Sequence, residues 1–208
     1  MATGGETKHT IEPAASGRAK CRGCGRSIAK DALRFGERLP NPFAEGRDMT
    51  HWFHLRCAAM KRPEVLLETI NDERYGEHAD TDPRLRPLAE SGIAHRRLPR
   101  VDGAERSPTG RARCRHCREM IGQDTWRIGL VFYEEGQFNP AGYLHAACAN
   151  AYFETAAADA HEIVDRIAHF APTLTDKELG ELEEAVRAGE PNVPGSDASE
   201  GEAGVDDE

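Results

Sequence analysis

The six cysteines of this chain fall into two clusters that copy one another, and this repeat constrains the fold more than any other feature of the 208 residues. Gly17–Gly36 laid over Gly110–Gly129, an offset of 93, pairs Gly-Arg-Ala-Lys-Cys-Arg-Gly-Cys with Gly-Arg-Ala-Arg-Cys-Arg-His-Cys. Further on, Ile28, Asp31, Arg34 and Gly36 meet Ile121, Asp124, Arg127 and Gly129. After a two-residue deletion the offset becomes 91, and His54-Leu55-Arg56-Cys57 meets His145-Ala146-Ala147-Cys148. The candidate metal ligands are therefore Cys21, Cys24, His54 and Cys57 in C-x2-C-x29-H-x2-C, and Cys114, Cys117, His145 and Cys148 in C-x2-C-x27-H-x2-C. Three thiolates and an imidazole fill a tetrahedron around Zn²⁺ and leave no position open for water, which is how structural zinc is held. Thiolate-rich ligation favours zinc over magnesium or calcium but does not by itself separate zinc from iron.

The repeat also chooses between histidines. His51, three residues before His54, has Gly142 as its counterpart, and His116 stands where the first copy has Gly23, so neither is a shared ligand. Disulfides and a thioredoxin-like redox pair are the competing readings. A polar start without an apolar export segment speaks against the first, and the absence of a βαβ pattern around C-x2-C speaks against the second.

Leu, Ile, Val and Phe total 35 of 208 residues, a proportion too low for a large apolar core at this charge. Small modules of this kind draw their stability from metal, on the order of 10 kcal/mol per site. Charge is segregated. Residues 16–62 carry eleven Lys/Arg against four Asp/Glu, and residues 151–208 carry three against sixteen, so a net charge of −9 conceals a basic first half and an acidic end. A basic patch suits a polyanionic partner. No apolar run is long enough to span a bilayer.

Aromatic and β-branched content predicts strands at Leu33–Gly36 and Trp126–Phe132, with return strands at His51–His54 and Tyr143–His145. Helices are expected over 57–70, broken near Pro63, and over 146–169. The segments 41–46 and 134–140 read as Gly/Pro/Asn loops. Thr175-Asp176-Lys177-Glu178 is a capping box opening a helix to Arg187. The fold class is thus small α+β zinc-stabilised domains, each a short antiparallel sheet with helices. The expected organisation is a disordered stretch at 1–11, a first module at 12–70, a polar connector at 71–105 and a second module with its following helix at 106–170. A C-terminal helix at 171–188 and a disordered acidic tail at 189–208 complete it.

Ser16-Gly17-Arg18-Ala19-x-Cys21-x-x-Cys24, Ile28, Leu33-Arg34, Pro42-Phe43 and His51-Trp52-Phe53-His54-x-x-Cys57 together resemble the poly(ADP-ribose) polymerase-type zinc finger. The resemblance covers 12–70 densely and 105–155 more loosely, where the loop differs and no Trp stands beside the ligand histidine. It implies two tandem fingers that sense DNA strand breaks independent of sequence. Arg18 and Arg34, with Arg111 and Arg127 in the second copy, would lie on backbone phosphates. Phe43, assisted by Met49, and Phe138 in the second copy would stack on the base pair exposed at a break. Trp52 and Phe53 read as core, and His161, Asp165 and His169 as a solvated helix face.

No nucleophile, phosphate loop or open metal position suggests catalysis, and no ADP-ribosyltransferase domain fits in the remaining length. The expected function is a non-enzymatic, zinc-dependent DNA-break binder carrying two Zn²⁺, with a repair protein as a possible partner. Neither a membrane nor a small-molecule substrate is expected. The place of action would be the nucleoid of a prokaryote or the nucleus of a eukaryote. The alternative is a zinc-scaffolded protein–protein interaction adaptor, to which the acidic end is suited.

Overall fold

The computed structural model describes residues 8–44, 46–79 and 82–189. It consists of two three-stranded antiparallel sheets, each backed by short helices. The first sheet has the order β1 (Thr10–Pro13), β2 (Leu33–Pro40) and β3 (Asp48–His54). It is followed by α1 (Leu55–Lys61), α2 (Pro63–Ile70), α3 (Gly76–Ala79) and α4 (Leu85–Ala94). The second sheet is β4 (Val101–Arg106), β5 (Trp126–Glu134) and β6 (Gln137–His145), followed by α5 (Ala149–Phe153), α6 (Ala160–Phe170) and α7 (Asp176–Arg187).

The repeat carries through to register. Arg34 lies opposite His54 and Glu12 opposite Arg34 in the first sheet; Arg127 lies opposite His145 and Glu105 opposite Arg127 in the second. Asp31 and Asp124, matched in sequence without an evident role, both adopt the left-handed conformation, at φ 63° and 59°. Their amides donate to Ala14 and Ser107 carbonyls, at 2.9 and 2.8 Å. Aspartate is among the few non-glycine residues that accept this backbone.

Each sheet builds its own core. Phe35, Phe53, Ile28 and Leu66 are buried in the first; Ile128, Leu144, Phe153 and Ile163 in the second. Pro63 separates α1 from α2 by occupying the first position of α2, where its missing N–H costs nothing. The helix expected over 146–169 is instead α5 and α6, parted at Glu154, which is left-handed at φ 61°. The capping box at Thr175 and Glu178 is present, and α7 buries Leu182 and Val186 against the second core.

Other expectations needed correction. Residues from Thr10 within the stretch read as disordered over 1–11 begin β1, because Ile11 is needed to fill the first core; residues 1–7 lie outside the described residues. The polar connector at 71–105 is largely structural, since α4 gives Leu85 and Ala89 to the first core while Leu98 and Val101 belong to the second. The loop expected at 134–140 is a tight hairpin turned by Glu135 and Gly136, both at positive φ, so residues 137–140 are strand. The acidic tail from residue 190 onward lies outside the described residues.

The two halves meet through buried charge. Glu37 is bound by Arg62 at 2.5 and 3.0 Å and accepts from Tyr133 Oη of the second half at 3.2 Å. Buried Lys61 donates to the Val101 carbonyl at 2.6 Å and to Asp102 at 2.9 Å. Buried Arg166 of α6 donates to the carbonyls of Met60 and Leu88, at 3.2 and 3.0 Å. Paired and hydrogen-bonded in this way, such charges are tolerated; losing one partner strands the other.

Candidate metal centres and the surface around them

Each knuckle is closed by backbone hydrogen bonds that aim two sulfurs the same way. Cys21 N donates to Arg26 O and Gly25 N to Cys21 O, both at 2.8 Å. The second knuckle repeats this with Cys114 N to Glu119 O at 2.9 Å and Arg118 N to Cys114 O at 3.1 Å. The turn needs a left-handed residue, supplied by Gly25 (φ 71°) in one copy and by Arg118 (φ 68°) in the other. His54 and His145 end β3 and β6 in extended conformation at the helix start that follows. Cys57 then falls in the first turn of α1, where free N–H groups favour a thiolate.

The four ligand atoms of each set lie within 4.8 Å of one another. Nδ1 of His54 is 3.5 Å from Cys24 Sγ and 3.7 Å from Cys57 Sγ; Nδ1 of His145 is 3.4 Å from Cys117 Sγ and 3.9 Å from Cys148 Sγ. A tetrahedron with zinc bond lengths of about 2.3 Å to sulfur and 2.1 Å to nitrogen has S–N edges of about 3.6 Å, so both sets fit the ion. Nε2 of His145 lies 3.1 Å from the Met120 carbonyl, which fixes the tautomer leaving Nδ1 as the donor to metal.

The ligands also perturb one another's protons. The hydrogen bond from Cys57, then those from His54, hold Cys21 down at about 3. His54 is raised to about 9, chiefly by its hydrogen bond to Cys21, and Cys57 is pushed up by the same hydrogen bond and by burial. In the second set burial and the charge of Cys114 push Cys148 up to about 12. Against the upward push of its own burial, backbone donors from His145, Cys117 and His116 bring Cys114 to about 7. Zn²⁺ displaces these shared protons and satisfies all four groups at once.

The residues expected to touch DNA are placed unevenly. Arg18 and Arg111 are exposed. Phe43 is 94% exposed on the loop between β2 and β3. Met49 and Phe43 both line a cleft of about 750 Å³, which is also lined by Arg22, His51 and the Glu134–Gln137 hairpin tip. Arg34, in contrast, is only 9% exposed, its guanidinium 2.6 Å from Glu12 and 3.5 Å above the Trp52 ring. Arg127, 8% exposed, repeats the arrangement with Glu105 at 2.6 Å and Tyr143 at 3.8 Å. Both arginines have their charge matched and one face covered, so a phosphate at either must displace a carboxylate. Phe138 is turned inward, edge-on to Phe53 at 6.3 Å and packed on the first core. The tight Glu135–Gly136 turn makes it a strand residue, where the expected loop would have freed it.

Sequence reading missed Lys61, Glu37 and Arg166, since nothing local distinguishes a buried charge from a surface one. It also placed His169 on a solvated face, whereas its Nε2 lies 3.0 Å from Cys57 Sγ.

The family described as "Poly(ADP-ribose) polymerase and DNA-Ligase Zn-finger region" matches residues 12–87, spanning all four ligands of the first site and the start of α4. Residues 12–87 are a PARP-type zinc finger. The chain is similar to "Poly [ADP-ribose] polymerase 1" of Gallus gallus, 30% identical over 141 residues, which are 62% of this chain and 14% of that protein. Similarity to the protein of the same name from Caenorhabditis elegans, 26% identical, extends over 90% of this chain and 21% of the relative. It is also similar to "Polynucleotide 3'-phosphatase ZDP" of Arabidopsis thaliana, 26% identical over 66% of this chain and 23% of the relative. The chain therefore spans between a seventh and a quarter of the length of these relatives. With the PARP-type finger and a second Cys₃His set of the same geometry, the protein has two zinc sites, one Zn²⁺ each. Among the described residues no helix is long and apolar enough to cross a membrane.

Proposed function

We propose that this chain is a non-enzymatic, zinc-dependent reader of DNA strand breaks or ends, independent of sequence. The observation that carries the reading is Phe43, an aromatic side chain 94% exposed on a finger rich in arginine. Leaving a phenyl ring in water forfeits its burial, whereas stacking on an exposed base contributes ~1–3 kcal/mol. A base-pair face is exposed at a break and hidden in continuous duplex, so stacking confers selectivity where phosphate contacts cannot. Arg18 takes backbone phosphate, with Arg22 and Arg47 exposed nearby in sequence, and Met49 backs the Phe43 ring. Arg34 reaches phosphate only by giving up Glu12.

Residues 106–170 form a second finger of the same type in this reading. Arg111 is its exposed phosphate contact, Arg127 is tied to Glu105, and Phe138 serves to pack the halves together rather than to stack on DNA. The reading is supported by the names of the relatives, two polymerases of poly(ADP-ribose) and a polynucleotide 3'-phosphatase. Here the zinc sites are closed, and the chain supplies recognition while a partner in repair supplies catalysis, in the nucleus or nucleoid. The competing reading, a zinc-scaffolded adaptor for proteins, is favoured by the exposed acidic residues of α6 and α7, such as Asp165 and Asp176.

The test is fluorescence anisotropy of the zinc-loaded protein on a nicked or blunt-ended duplex, with a closed circular competitor and Phe43→Ala in parallel. Ends should outcompete circles, Phe43→Ala should lose that preference, and affinity should fall steeply with salt as counterions are released. Equal competition by closed circles would reduce the fingers to general DNA clamps, and no binding at all would leave the adaptor.

A further inference from the structure

The two zinc sites share ligand types and spacing but not surroundings. His169 lies 112 residues beyond Cys57, on the last turn of α6, yet its Nε2 comes within 3.0 Å of Cys57 Sγ. The carbonyl of the same residue accepts from Arg26 Nη2 at 3.1 Å, and Arg26 Nε donates to Cys24 Sγ at 3.4 Å. Two of the three sulfurs are therefore touched by donors that converge on one residue of α6. The helix is held in place by Arg166 on the Met60 and Leu88 carbonyls, and by Phe170, which packs on the first core under Lys61 at 4.3 Å. At the second site the position of Arg26 is taken by Glu119, a carboxylate. Cys117 there is exposed and Cys148 half-buried, whereas Cys57 is fully buried.

A zinc-bound thiolate has no proton to give, so contact with His169 requires Nε2 to carry the hydrogen and donate it. Three thiolates around Zn²⁺ leave a net negative charge on the site. Donors on the sulfurs disperse that charge and hold the ligands in place, and outer partners of this kind are typically worth about 10–100-fold in metal affinity. Closing the site with a helix from the other half also removes the path by which a competing chelator approaches.

We propose that His169, with Arg26, is an outer-sphere partner of the first zinc site, and that it makes the two sites unequal. The first retains its zinc, sealed by α6, and the second is the exchangeable one. Zinc retention at the first site and docking of α6 are then linked: each stabilises the other. This proposal rests on the zinc sites alone and is independent of what the fingers bind.

The test uses the full zinc-loaded chain, challenged with EDTA in the presence of N-ethylmaleimide, with alkylation of each cysteine followed by peptide mapping and zinc counted by native mass spectrometry. In the unaltered protein Cys114, Cys117 and Cys148 should lose protection at least about tenfold sooner than Cys21, Cys24 and Cys57. His169→Phe fills the space without the donor and should speed first-site alkylation about tenfold or more while leaving the second site unchanged. His169→Gln, which keeps an N–H, should fall between. Arg26→Gln, at an exposed position, should shift the first site in the same direction and serves if His169→Phe does not fold. Unchanged first-site protection in both His169→Phe and Arg26→Gln overturns the proposal. So do equal acceleration at the two sites, which marks general loosening, and a first site that empties before the second in the unaltered protein.

Discussion

At the scale of single residues the clearest feature is an arginine put to structural use twice. Arg34 and Arg127 each bind a glutamate on the preceding strand and lie flat on an aromatic ring from the following one, Trp52 or Tyr143. At Gly36 the Trp52 ring crosses so close that a Cβ would stand 2.7 Å from it, which is why the strand carries glycine beside the stack. The planar guanidinium serves both contacts at once, which a lysine does not. Arg34→Ala should therefore lower stability, by about 1–3 kcal/mol from the lost stack and charge-assisted bond, read as a drop in the urea midpoint. Arg18→Ala, at an exposed position, should leave that midpoint unchanged and weaken DNA binding, reducing the salt slope by about one. If Arg34→Ala weakens DNA binding without moving the midpoint, its place is on phosphate after all.

At the scale of elements, short-range signals decided the ends and long-range packing decided the rest. The capping box of α7 is written in four consecutive residues, and Thr175 accepts from Glu178 N at 3.3 Å while the Glu178 carboxylate returns to Thr175 N at 2.8 Å. Because α7 buries Leu182 and Val186 in the second core, fraying it loosens the whole half. Thr175→Ala should cost about 1 kcal/mol, measured as a lower melting temperature, and a null result would mean that α7 is held by its packing alone. The hairpins show the opposite case. A two-residue difference in length separates a projecting loop carrying Phe43 from a tight Glu135–Gly136 turn that directs Phe138 into the molecule. Residue type was the same in both; strand register decided which ring meets solvent.

At the scale of the whole molecule the two halves should unfold as one unit, because buried Lys61, Glu37 and Arg166 each find hydrogen-bond partners across the boundary. If the halves separated, Lys61 would lose both its partners, Val101 O and Asp102, at a cost of several kcal/mol. Glu37 would keep Arg62 but lose the Tyr133 hydroxyl, and Arg166 would keep Glu162 but lose the Met60 and Leu88 carbonyls. Each half carries one tryptophan, Trp52 or Trp126, so single-tryptophan proteins can report on them separately. Trp52→Tyr borrows the residue of the second copy, and Trp126→Phe is the complementary variant. Denaturation followed by the remaining tryptophan should give coincident transitions in the two proteins, as a two-state unit requires; separated midpoints would make the halves independent. Chelation of both zinc ions should abolish the transition in each, since zinc binding supplies much of the folding energy of so thin a core.

What the sequence determined by itself was everything that depends on near neighbours or on the repeat: the eight ligands, the knuckles, the strands flanking them, the α7 cap and the family resemblance that a Cys/His pattern with Arg18, Phe43 and Trp52 carries. These are specified by spacing along the chain, and metal geometry tolerates few alternatives. Only the tertiary structure decided that Leu85, Ala89, Leu98 and Val101 of the expected connector enter the two cores, that Arg34 and Arg127 are spent on carboxylates, that Phe138 faces inward, and that His169 reaches the Cys57 sulfur from the other half. A buried Lys61 and an exposed Arg18 look alike in sequence. What separates them is which distant surface packs over each, and that is settled by the fit of two cores rather than by any local pattern.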